Sequence, residues 1–250
     1  MKYIGIAFSL LTTLPIPAPA NWNPGDSGRA AGWYPLVGLV IGLLVAGVHW
    51  LAGLLLPPLV MGALALLAWV ALTGGLHLDG LADCADGLLY PGAPEKRLEI
   101  MRDPRLGAFG GIGLGLALLF KFAALASFTP STLPGLLLAA SLARWCLLPA
   151  GFMPLAKPDG KVPAAPAGMG ADFTAGLRKA SLFWGGLIPL GLALALGWSG
   201  LLAVTLGLLA AFGVLTLAKK RLGGVTGDVF GLLVESVEIV VLLVFTTGVI

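Results

Sequence analysis

Apolar residues come in runs along this chain, not in alternation with polar ones. Seven runs can be drawn, at about 33–56, 58–76, 107–128, 132–152, 182–197, 199–217 and 229–249. Around 20 nearly uncharged residues in helical form cross a hydrocarbon core about 30 Å thick. The runs lack the period of two that a membrane β-barrel needs. The pattern therefore predicts an all-α, polytopic helical membrane protein with about seven transmembrane helices, built as a single integral-membrane unit over residues 1–250.

The connections between runs alternate in character. PP at 57–58, FTPST at 128–132 and GWSG at 197–200 are tiny and uncharged. Segments 77–106, 153–181 and 218–228 are longer and hold most of the polar chemistry. Basic residues follow the same alternation, with Lys96, Arg97, Arg102 and Arg105 in the first long segment. Lys157, Lys161, Arg178 and Lys179 lie in the second, and Lys219, Lys220 and Arg221 in the third. The positive-inside rule then predicts that the N-terminus and all three long segments are cytoplasmic, with the C-terminus on the far side of the membrane. The Pro-, Gly- and Ala-rich stretch KPDGKVPAAPAGMGADF in the second long segment reads as a loop or lid that orders on binding.

Composition agrees with the pattern. Hydrophobic residues make up 58% of the chain and charged ones 11%, with a mean hydropathy of +0.98. A soluble globular domain carries roughly a quarter of charged residues. The net charge of +3 resides in loops beside the apolar runs and makes no nucleic-acid patch. The opening MKYIGIAFSLLTTLPIP is interrupted by Pro15 and Pro17 without a small-residue cleavage site, so it reads as a retained interfacial or re-entrant segment. Cys84 and Cys146 have no CxxC spacing and suggest neither a disulfide framework nor a zinc site.

Against that apolar background, HLDGLADCADGL at 77–88 places three aspartates within eight residues. On a helix, 100° per residue gathers Asp79, Asp83 and Asp86 into a stripe about 60° wide. Gly80 and Gly87 flank it, and Leu81, Cys84, Ala85 and Leu88 lie opposite. Three carboxylates with no lysine or arginine among them repel one another until a cation arrives. Oxygen ligands without sulfur suit Mg²⁺, with Mn²⁺ as the alternative, and the glycines leave room for a phosphate to approach the backbone. MRDPRLGAFG adds Asp103 as a further ligand and Arg102 and Arg105 as phosphate partners. Lys121 and Arg144 sit deep in apolar runs, where a charge is costly unless it faces a cavity or a partner. Asp228 and Glu235 share a helical face in the last run, with Glu238 turned about 60° away. These four, Lys121, Arg144, Asp228 and Glu235, are expected to line the inner part of a substrate cavity. His77, with Asp83 and Asp86, is the candidate for general-base work.

GGLHLDGLADCADGL at 74–88, MRDPRLGAFG at 101–110 and GGVTGDVFG at 223–231 resemble the cobalamin synthase family, the adenosylcobinamide-GDP ribazoletransferases. FSLLTTLPIP, RAAGWYPLVGLVIG at 29–42 and SLARWCLLPAG at 141–151 extend the resemblance, in order, over nearly the whole chain. It implies a Mg²⁺-dependent membrane transferase that joins α-ribazole or its 5′-phosphate to adenosylcobinamide-GDP and releases GMP. The oligomeric state is open, including a homo-oligomer in the lipid bilayer. A CDP-alcohol phosphotransferase-like enzyme fits less well, because Ala82 is followed by Asp83 where that family has an arginine, and Asp86 comes too early. A cation-coupled transporter using Asp79, Asp83 and Glu235 as an ion path is the alternative from another class.

Overall fold

The computed structural model describes residues 2–17, 22–156 and 169–247. Twelve α-helices account for most of them: α1 (Lys2–Leu11), α2 (Asp26–Ala30), α3 (Tyr34–Gly53), α4 (Pro58–Thr73), α5 (Leu76–Leu89) and α6 (Pro94–Ile100), then α7 (Ala108–Ser127), α8 (Pro134–Ala150), α9 (Met169–Gly176), α10 (Lys179–Ala195), α11 (Gly197–Leu222) and α12 (Gly227–Val244). Extended pairing among the described residues is confined to one isolated bridge, Leu155 with Val225.

A helix lies over each of the seven apolar runs, but not every one spans by length and composition. Asp26–Gly53, Ala108–Ser127 and Gly197–Leu222 are long and apolar enough to cross a membrane. Joining α4 to α5 would give a fourth. The number shown is therefore three to four, below the expected seven. The shortfall has a plain cause: α8 and α10 are 17 residues long, and α12 carries Asp228, Glu235 and Glu238. At 1.5 Å per residue, α1 with its 10 residues is far too short to span. It buries Ile6, Ala7, Phe8 and Leu11 in the core, and Lys2 pairs with Asp26 at 2.7 Å.

Small residues set the packing, as expected where lipid removes most of the hydrophobic drive for helix association. A methyl group at Gly42 of α3 would stand 2.7 Å from the Leu136 carbonyl oxygen of α8. One at Gly62 of α4 would stand 2.7 Å from the Ala126 nitrogen of α7. Outward faces carry large apolar side chains such as Leu43, Trp50, Leu119, Phe183, Trp184 and Phe212, a surface suited to acyl chains.

One break organises the site. Gly74 and Gly75 both adopt left-handed backbone, φ 62° and 70°, which side chains resist, and they end α4 and start α5 at 90° to it. Helix α5 thus turns across the line of α4 and does not continue it as a straight span. Most of the Pro-, Gly- and Ala-rich stretch expected as a lid, with Lys157 and Lys161, lies outside the described residues. Its described end is α9, which packs on α2.

Candidate active site

Helix α5 forms as its spacing predicts. Leu81, Cys84 and Leu88 are buried on one side, while Asp79 is exposed and Asp83 and Asp86 are half-buried on the other. The C-terminal carbonyls of α5 are capped by a side chain from outside the helix. The buried Arg97 donates from Nη1 to the carbonyls of Gly87 and Leu88 and from Nε to that of Gly92.

Helix α12 crosses α5 at a pair of glycines. A methyl at Gly80 would lie 2.9 Å from the Asp228 Cα, and one at Gly231 would lie 2.8 Å from the His77 carbonyl oxygen. Gly80 is thus used for helix contact, and Gly87 likewise packs on Met101 and the Arg97 carbonyl. The room foreseen there for a phosphate is taken by protein. What the crossing achieves instead is to bring Asp228 from the far end of the sequence beside the α5 stripe. Thr226 caps α12 by accepting from the Val229 amide and hydrogen-bonds the Asp228 carboxylate at 3.3 Å.

The acidic stripe is uncompensated enough to disturb its own titration. Burial, then the charges of Asp228, Asp79 and Asp86, push the Asp83 carboxyl up to about 6. Arg102 is the cation whose charge reaches Asp228.

Two other expected ligands are already engaged. Asp86 accepts from the backbone amides of Gly107 and Gly110, both at 2.8 Å, and so caps α7 from another helix. Asp103 is gripped by Arg105, with Nε at 2.9 Å and Nη2 at 2.7 Å, and these bonds hold its carboxyl down at about 2. Arg105 is spread on the surface in that pair, so it too is partnered within the chain.

The charges deep in the helices form a separate cluster. Lys121 Nζ lies 2.6 Å from Glu235 Oε2 and also pairs with Glu238, which Arg144 holds from its other side. Lys121 also sits over the Trp69 ring, 5.0 Å from its centroid. Two cations and two anions balance one another among buried residues of α7, α8 and α12. Lys121, Arg144 and Glu235, expected on the cavity wall, do not line the cleft; of that group only Asp228 does. Glu238, the residue turned away from the Asp228–Glu235 face, is the hub that the sequence reading missed.

The cleft itself, about 220 Å³, opens between α1, α3, α5, α8, α9 and α12. His77, Asp79 and Asp228 line it. His77 is 5% exposed and its Nδ1 has no partner. Leu147 also lines the cleft, as do Tyr34, Phe173 and Phe230, an aromatic wall for which sequence spacing gave no signal. Its residues come from three separate helices, α3, α9 and α12. Asp172 of α9 fixes Phe173 in place by accepting from the Gly25 and Ser27 amides and the Ser27 hydroxyl.

No three His, Cys, Asp or Glu side chains among the described residues converge closely enough to cage a metal. That is compatible with Mg²⁺, which usually takes one or two carboxylates and completes its shell with water and substrate phosphate. One or two of Asp79, Asp83 and Asp228, oxygen donors within each other's field, fit such an ion.

The sequence profile described as cobalamin-5-phosphate synthase matches residues 3–246. A protein of Pseudomonas paraeruginosa, named adenosylcobinamide-GDP ribazoletransferase, is 44% identical over 239 residues, covering 95% of this chain and 94% of that one. Proteins of the same name from Pseudomonas aeruginosa PAO1 and Deinococcus radiodurans are 43% and 39% identical, over 97% and 96% of this chain and 96% and 84% of theirs. No solved structure matches. With the acidic stripe, the membrane helices and these relatives all in agreement, the chain belongs to the cobalamin-5-phosphate synthase family and is a transferase.

Proposed function

We propose that this protein transfers the adenosylcobinamide phosphate group of adenosylcobinamide-GDP to α-ribazole or its 5′-phosphate, releasing GMP, at the cytoplasmic face of the inner membrane. The observation that carries this reading is the juxtaposition of Asp79 on α5 with Asp228 on α12 in the lining of one cleft, with Asp83 within their field, in a chain of this family. Arg102, Arg178, Lys179 and the Lys219–Arg221 run support a cytoplasmic site, since they border the same set of long connections.

In this mechanism one or two of the Asp79, Asp83 and Asp228 carboxylates would hold Mg²⁺, which would complete its shell with water and the diphosphate of the activated corrinoid. Bound Mg²⁺ offsets the charge that builds up on the departing GMP. Arg102, a cation whose charge acts on Asp228, binds phosphate oxygens. A free ribose hydroxyl oxygen of the acceptor, one that α-ribazole and its 5′-phosphate both carry, forms a bond to the corrinoid-side phosphorus, and the bond from that phosphorus to the bridging oxygen breaks. GMP leaves with the bridging oxygen. The hydroxyl proton passes to a group on the cleft wall, either His77 or a cleft carboxylate. Asp86 acts by position, tying α7 to the stripe. Lys121, Arg144, Glu235 and Glu238 hold α12 in register beneath it. Most of the rate would come from placement and electrostatics, because phosphoryl transfer asks for little covalent help.

The decisive experiment supplies the purified protein, in liposomes, with adenosylcobinamide-GDP, α-ribazole and Mg²⁺ and measures GMP and the coupled corrinoid. The expected result is stoichiometric release that EDTA stops. Folded protein that yields no GMP with either acceptor would overturn the reading.

A further inference from the structure

The reaction needs sites for two very different molecules, and the cleft can be matched to one of them. At about 220 Å³ it is much too small for a corrin macrocycle with its amide arms. Its wall also argues against guanine. Tyr34 and Phe173 stack with centroids 5.8 Å apart and planes 14° from parallel, and Phe230 meets Phe173 edge-on at 5.4 Å. The polar atoms of that wall are occupied. The Tyr34 hydroxyl donates to the Ser27 carbonyl at 3.1 Å, and the Ser27 hydroxyl donates to Asp172. Guanine, whose edge carries both donors and acceptors, would find no free side-chain partner on that wall, whereas a flat base bearing methyl groups loses nothing. The same cleft is lined by the Asp79 and Asp228 carboxylates, acceptors that suit a donor-rich ribose.

Building on the proposed transfer, we infer that the Tyr34–Phe173–Phe230 cleft is the acceptor subsite, taking the dimethylbenzimidazole base of α-ribazole against the aromatic wall with its ribose toward Asp79 and Asp228. The placement has a mechanistic consequence. A base lodged against the wall puts its sugar between the wall and the acidic stripe, the side on which the diphosphate is held. The corrinoid then remains outside the cleft, above α5. Phe173 and Phe230 are specificity-determining residues in this arrangement. They come from α9 and α12, so the subsite exists only while α9 is docked on α2 through Asp172.

The test begins with the wild-type protein, whose turnover must first be established with both substrates. If it makes no product, the proposed transfer itself fails, and the assignment of the cleft fails with it. Given turnover, Phe173→Ala and Phe230→Leu should each raise the KM for α-ribazole by about tenfold or more, as loss of a base-stacking partner does. The KM for adenosylcobinamide-GDP should stay within about twofold. A rise confined to adenosylcobinamide-GDP, or an equal rise for both, would overturn the assignment while leaving the transfer standing. Should Phe173→Ala fail to fold, the wild-type protein still decides the matter with benzimidazole riboside lacking the two methyl groups. Weaker use of that analogue supports the apolar wall as its site, and an unchanged KM overturns it.

Discussion

Two groups of charge lie along α12, and they are built on opposite principles. At its N-terminal end Asp228 joins Asp79, Asp83 and Asp86 in a stripe of one sign, open to the cleft. Further along, Glu235 and Glu238 are matched by Lys121 and Arg144 in a closed, buried set. Burial is costly for a charge in either place. The inner group offsets that cost internally and gains a fixed helix register. The outer group leaves it standing, and an unmatched stripe is available to bind a cation and its phosphate.

This contrast can be broken from either side, and the two sides should fail differently. The largest effect is expected at the open stripe: Asp83→Ala or Asp79→Ala should cut turnover by at least about 100-fold. The thermal midpoint in detergent without divalent ions should hold or rise, because a repulsive charge is gone. A fall in that midpoint for both variants would mean that the stripe serves the fold instead.

Second in size is the closed cluster. Glu238→Gln removes the residue shared by Lys121 and Arg144 and should cost about 3–5 kcal/mol of stability, as breaking one partner of a buried pair does. Restoring balance with Lys121→Met in the same chain should recover part of the loss. Denaturant or thermal melts of the single and double variants would settle whether the two changes couple.

A third prediction concerns pH. The Asp83 carboxyl, raised to about 6, favours its protonated form in the fold. Its stabilising contribution is fully present below the ordinary carboxylate pKa of about 3.8 and is lost as pH rises through about 6. The metal-free protein should therefore weaken across that window, and added Mg²⁺ should stabilise it more at about pH 7.5 than at about pH 5. Asp83→Asn should flatten both trends, and a melt series over pH with and without Mg²⁺ reads them directly. The smallest effect belongs to Arg105→Ala. Its pair with Asp103 is exposed, so the thermal midpoint should stay at the wild-type value, while the Asp103 carboxyl shifts upward in an NMR titration.

Much of this was legible in the residues themselves. Each apolar run became a helix, and the 79–83–86 spacing became one face of α5, because both depend on local periodicity. HLDGLADCADGL also carried the resemblance that the relatives and the family profile bear out. The number of spans was less legible, since 17-residue helices and a three-carboxylate α12 do not cross on composition alone. Residue roles diverged most where a charge had to choose a partner. Lys121, Arg144 and Glu235 looked like cavity walls when each was read singly, and Asp103 and Arg105 like separate ligands.

Sequence by itself determined the helical membrane character, the acidic face and the family, since periodicity, composition and motif order act within short stretches of chain. Only the tertiary structure decided which charges neutralise one another, that Asp86 and Arg97 cap neighbouring segments, and that Tyr34, Phe173 and Phe230 meet in the cleft that Asp228 also lines. Those outcomes depend on contacts between residues far apart in the chain, made where glycines at 80 and 231 let two helices touch. Such contacts leave no periodic trace in the sequence.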